Sequence, residues 1–108
     1  MATGITSSAN VHTISGLGSS ETSDALPIQK LGGVIGAVAL TSISGAGGRV
    51  DIEVSLDGTN YFALKDQFGE DIPLTAPGYS EFSTAAGWVR ASANASVSSA
   101  DVVFVVRN

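Results

Sequence analysis

The chain has a single histidine, His12, in a Ser/Thr-rich stretch. A general base needs an orienting partner, and a catalytic metal site needs several His or carboxylate ligands. His12 is therefore expected to be a solvated side chain on an edge strand. Asp51 and Glu53 stand two positions apart, which puts both on one face of a strand, and Glu81 can join them. Paired carboxylates are the apparatus of glycosidic-bond hydrolysis. Arg49, Lys65 and Arg90 are placed to neutralise them across neighbouring strands, and that is the expected arrangement. Asp66, Glu70 and Asp71 offer oxygen ligands for Ca²⁺, but at no recognised loop spacing. Gly45-Ala46-Gly47-Gly48 has neither phosphate-loop spacing and precedes a strand rather than a helix, so it reads as a turn. Asn94-Ala95-Ser96 matches the glycosylation acceptor pattern, yet no basic segment followed by an apolar one near the start suggests a signal peptide. No catalytic residue, cofactor or metal is expected, and the chain reads as a non-enzyme.

The elements that would hold these residues centre on Arg49–Leu64. Val50, Ile52, Val54 and Leu56 alternate with Arg49, Asp51, Glu53 and Ser55, the period of a half-buried strand. Asp57-Gly58 turns the chain, and Asn60-Tyr61-Phe62-Ala63-Leu64 starts the return strand. Loop parity decides what faces the core. An odd-length loop with Gly58 in the left-handed region, the favoured reading, sets Phe62 and Leu64 beside Ile52 and Val54 and turns Tyr61 and Lys65 outward with Asp51 and Glu53. An even one would bury Tyr61 and Ala63 and put Phe62 and Leu64 on the charged face.

Elsewhere the chain is read as short strands between Gly, Ser and Pro punctuation. Leu26-Pro27-Ile28 is an extended lead-in. Val34–Ile43 is apolar on both parities, as a strand covered on both faces would be, and Ala37 and Ala39 leave one side open to close approach by another sheet or chain. Ile72–Thr75, Gly78–Thr84, Trp88–Ala95 and Val102–Arg107 follow, with Val89, Ala91 and Ala93 inward and Trp88, Arg90, Ser92 and Asn94 outward. About seven or eight strands with no amphipathic helix imply an all-β fold, an antiparallel β-sandwich or jelly roll. The domain is placed at residues 26–108. Residues 1–25, with a short alternating piece at Val11–Ile14, read as an N-terminal arm or irregular segment, because their composition buries little apolar area. Removing residues 1–20 is expected to leave the sandwich folded and to weaken assembly.

Composition narrows the partners. The formal charge is −5, with only five Lys and Arg residues, against the clustered basic charge that a nucleic-acid backbone or anionic membrane demands. The apolar run Leu31–Leu40 is about half of a bilayer span. Charged residues make up 14% of the chain, fewer than usually hold soluble domains apart, so part of the surface is expected to be covered in an assembly. With no cysteine, neither disulfides nor thiolate metal sites contribute.

Val50-Asp-Ile-Glu-Val-Ser-Leu-Asp-Gly-Thr-Asn-Tyr-Phe62, followed by Gly87-Trp-Val-Arg90, a Ser-rich turn and Val102-Val-Phe-Val-Val106, resembles a pattern in small β-sandwich virion proteins of tailed bacteriophages. In these a D-G-T-N-aromatic hairpin precedes an aromatic-Val-Arg strand and a last Val-rich strand. The similarity spans about residues 33–108. It implies a capsid decoration, or cement, protein on the virion exterior, bound across major capsid protein subunits and self-associated, with a trimer preferred. It implies no catalytic residues. The candidate interface residues are Trp88, Tyr61, Arg90, Ala37, Ala39, Val11 and Ile14. D-G-T-N-aromatic also occurs in carbohydrate-binding sandwiches, so a tail or fibre module that stacks sugars on Trp88 and Tyr61 is the alternative.

Overall fold

Alternating apolar and polar residues build two facing sheets, seen in a computed structural model that describes residues 4–8, 11–28, 34–64, 73–84 and 86–107. Ten strands are found among these residues: β1 (Ile5–Ser8), β2 (Val11–Leu17), β3 (Leu26–Pro27), β4 (Val34–Ser44), β5 (Val50–Ser55), β6 (Tyr61–Ala63), β7 (Pro73–Leu74), β8 (Gly78–Thr84), β9 (Trp88–Ala93) and β10 (Ser99–Arg107). The first sheet runs β1-β2-β10-β4-β8 and the second β3-β9-β5-β6, with β7 also paired to β5. Every pairing is antiparallel. The chain crosses between the sheets at most steps: β2, β4, β8 and β10 belong to the first, and β3, β5 and β9 to the second. The expected all-β sandwich is what forms.

The core lies between the sheets. Ile14, Leu17, Val38, Leu40, Phe82, Val102 and Phe104 from the first meet Leu26, Val50, Ile52, Leu64, Val89 and Ala91 from the second. Gly36 permits tight packing here, since a side chain at that position would meet the Val105 carbonyl at 2.5 Å and the Phe82 ring at 3.0 Å.

Three readings change. Residues 1–25 are not simply an arm, because β2 pairs with the central strand β10 and places Ile14 and Leu17 fully inside the core. Further along, Thr22 bridges to Ser92, and Ser23 is buried, donating its N–H to the Ala91 carbonyl and accepting the Ala91 N–H at Oγ. Low apolar content misled the sequence reading: two buried side chains and a shared ladder suffice to anchor the segment. Secondly, β4 is covered on one face only. Val38 and Leu40 are buried while Ala37 and Ala39 are half-buried. Thirdly, the described strands outnumber the expected set, because the N-terminal segment supplies more than the sequence suggested.

Candidate functional surfaces

The central hairpin has the odd-loop register, but of the two side chains expected on the core side only Leu64 is buried. Phe62, opposite the half-buried Val54 near the end of the sheet, is 66% exposed. Ser55 pairs with Tyr61, Val54 with Phe62 and Glu53 with Ala63, while the Leu64 N–H donates to the Ile52 carbonyl. Gly58 has φ +82°. Its turn is built by two side chains. The Ser55 Oγ accepts the Gly58 N–H at 2.8 Å and donates to Asp57 Oδ1 at 3.1 Å. Asp57 Oδ1 also accepts the N–H groups of Thr59 at 2.9 Å and Asn60 at 2.8 Å, and Oδ2 accepts the Asn60 amide at 2.8 Å. The Asn60 N–H, then the Thr59 N–H, the Asn60 amide and the Ser55 hydroxyl stabilise the anion, holding the Asp57 carboxyl well below the usual carboxylate range. Sequence inspection found Asp-Gly but not the part played by Ser55, a fully buried residue.

The carboxylates of the second sheet's outer face are paired. Glu53 accepts from Arg90 Nε at 2.8 Å, and Asp51 lies 3.2 Å from Arg49 Nε. Glu81 is far from both, on β8 of the other sheet, so the three do not form one constellation. Arg90 also lies over the Tyr61 ring, its guanidinium carbon 3.8 Å from the centroid. The Trp88 indole sits against Gly58, where an added Cβ would meet it at 3.2 Å. Each of the two aromatic candidates therefore has a protein group against its ring. Among the described residues, no group of three or more His, Cys, Asp and Glu could hold a metal ion. Asp66, Glu70, Asp71 and Lys65 lie outside the described residues.

His12 differs from expectation. It is half-buried and pairs with Phe104 on the core-facing parity of β2, and burial pushes its pKa below the ordinary value. Ile14, a candidate interface residue, is fully enclosed in the core.

Val11, Ala37 and Ala39 instead join a surface that the sequence only hinted at. Register sets Val11, Val105, Ala37 and Glu81 in one cross-strand row of the first sheet, and Thr13, Val103, Ala39 and Tyr79 in the next. These are the outward parities of β2, β10, β4 and β8. Ala37, Ala39, Val103, Val105 and Thr13 are half-buried, Val11 is 42% exposed and Tyr79 is 71% exposed. The middle of the face has no charge; Glu81 is at its β8 margin. The signal was the double-parity apolar pattern of Val34–Ile43 and Val102–Arg107, which correctly marked apolar residues on both sides of each strand.

Asp101 anchors one end of this face. Its Oδ1 accepts the Gly16 N–H at 2.9 Å and its Oδ2 accepts the Ser42 hydroxyl at 3.0 Å, tying β2, β10 and β4 together where β10 shifts register. Asn94, the acceptor-pattern residue, donates its side-chain amide to the Gly47 carbonyl at 3.1 Å and accepts the Arg49 N–H at 3.1 Å. It latches two turns. No protein-family model matches the chain, and no curated protein matches it.

Proposed function

We propose that this chain is a structural accessory subunit of a phage virion, a decoration protein that docks on the capsid exterior and binds across major capsid protein subunits. The observation that carries the reading is the outer face of the first sheet. Val11, Thr13, Ala37, Ala39, Val103 and Val105 form an apolar, small-residue surface with no charge among them, suited to lying flat on another protein. Many such contacts on a repeating shell add through multivalency and oppose the separation of neighbouring subunits. The two-sheet antiparallel sandwich is compatible with the reading, and a jelly roll, the form of sandwich used in capsid and lectin domains, belongs to the proposal.

The test is co-sedimentation of the purified protein with empty capsid shells from its source. Binding is expected to saturate at a fixed ratio and to be lost in Ala39→Glu, with the β-sheet circular dichroism unchanged. Absence of co-sedimentation by the native chain would overturn the proposal. The carbohydrate-binding alternative relies on Trp88 and Tyr61, whose rings already lie against Gly58 and Arg90. Glycan-array binding abolished by Trp88→Ala in a folded protein would restore it.

A further inference from the structure

The two sheets treat their edges differently. An open sheet edge presents unpaired backbone N–H and C=O groups, and proteins blunt it with proline, lysine, bulges or brevity. Among the described residues, β3 is two residues long and ends in Pro27, β7 is two residues long and begins with Pro73, and β6 has three residues. At one edge of the first sheet, β1 has four. At the other, β8 has seven, Gly78-Tyr-Ser-Glu-Phe-Ser-Thr84, with no proline and no basic residue. Its pairing with β4 is regular throughout, with no bulge to bend it away. Tyr79, one of the most exposed large side chains among the described residues, stands on it.

We infer that β8 is a self-association strand, and that two copies of this chain pair β8 to β8, antiparallel about a two-fold axis, to make one sheet continuous through both sandwiches. The strand's own sequence selects the register. Centring the pair on Glu81 would align all of β8 but oppose two carboxylates, which is unfavourable directly across strands. Moving the axis to Ser80 sets Ser80 opposite Ser80, Tyr79 opposite Glu81 and Gly78 opposite Phe82. The phenol can then donate to the carboxylate, and the Phe82 ring, buried on the core side, faces a residue without a side chain. Moving the axis on to Tyr79 shortens the overlap further. Moving the axis the other way, to Phe82, gives an equally long pair without opposed charges but leaves Tyr79 outside it and sets two buried Phe82 rings against each other. The Ser80-centred pairing is therefore the one that combines length, no like-charge contact and a partner for Tyr79. It is isologous, so it closes at two copies, in place of the threefold expected from sequence. The capsid-facing surface proposed above is a sheet face rather than an edge, so both uses are compatible.

The chain has no cysteine, which makes the register directly measurable. Light scattering after size exclusion is expected to give a concentration-dependent mass of two chains. Ser80→Lys, which opposes two ammonium groups across the axis, is expected to return it to one chain, while Ser83→Lys, beyond the paired stretch, leaves the dimer intact. Under mild oxidation Ser80→Cys is expected to crosslink two copies and Ser83→Cys is not, a readout that survives if Ser80→Lys fails to fold. A native chain that stays monomeric at every concentration would overturn the inference. So would a dimer in which Ser80→Cys never crosslinks. Neither result bears on the capsid proposal, which is read from binding to shells. Because Ala39 pairs with Tyr79 of β8, light scattering on Ala39→Glu, with the dimer expected unchanged, keeps the two readings distinguishable.

Discussion

At the scale of single residues, His12 and Asp57, the groups with displaced pKa values among the described residues, both make stability fall on acidification. Burial lowers the His12 pKa from 6.5, so the folded state favours neutral imidazole. Its contribution is complete at neutral pH and begins to fall as pH drops below about 6.5. Asp57 is held anionic by the N–H groups of Asn60 and Thr59, so its contribution is present above its ordinary value of 3.8 and is lost as pH falls through its lower folded value. Thermal melting is thus expected to decline in two stages as pH falls below about 7. His12→Gln should remove the first stage, and Asp57→Asn should flatten the second. A one-stage decline unchanged in both variants would contradict the assignment. Gly58 makes a separate case. At φ +82° with the Trp88 indole against it, Gly58→Ala is expected to cost about 1–2 kcal/mol from the left-handed backbone alone, measurable by chemical denaturation. Arg90→Ala removes a part-buried ion pair and the guanidinium over the Tyr61 ring and should cost about 1–2 kcal/mol.

Among the elements, β2 has moved furthest from its sequence reading. Val11–Leu17 pairs with β10 and buries Ile14 and Leu17 completely. Deleting residues 1–20 would uncover Val102 and Phe104 and leave one side of β10 unpaired. The expectation that the sandwich survives this deletion is therefore reversed: the truncated chain should be insoluble or molten, as judged by lost near-ultraviolet circular dichroism. Phe104→Ala in the same strand should cost about 3–5 kcal/mol, the range for removing a fully buried aromatic side chain.

For the molecule as a whole, charge and contact are separated. The chain has a net charge of −5, yet the middle of the first sheet's outer face has none, and the second sheet pairs Glu53 with Arg90 and Asp51 with Arg49. Association through the uncharged face should survive raised salt, because screening weakens only charge–charge contacts. Capsid co-sedimentation is expected to be as strong at 1 M salt as at about 0.1 M, where the Debye length falls from about 10 to 3 Å. A steep loss would point to an electrostatic contact elsewhere.

How much of this was legible beforehand depends on how far each feature reaches along the chain. The all-β class, the Gly58 turn and the inward rows of β5 and β9 follow from local rules: a side-chain period of two and the dihedral demands of a tight turn. Those rules determined them from sequence alone, whereas the hairpin's odd parity was one of two that the sequence allowed. That Glu81 stands apart from Asp51 and Glu53, that Ile14 is core rather than interface, and that Val11, Val105 and Ala37 share one row depend on which strands become neighbours. Strand pairing is a contact between distant segments, and the alternation within one segment leaves its partner open. Only the tertiary structure decided these, and with them which apolar side of β4 and β10 is core and which is the half-buried outer face.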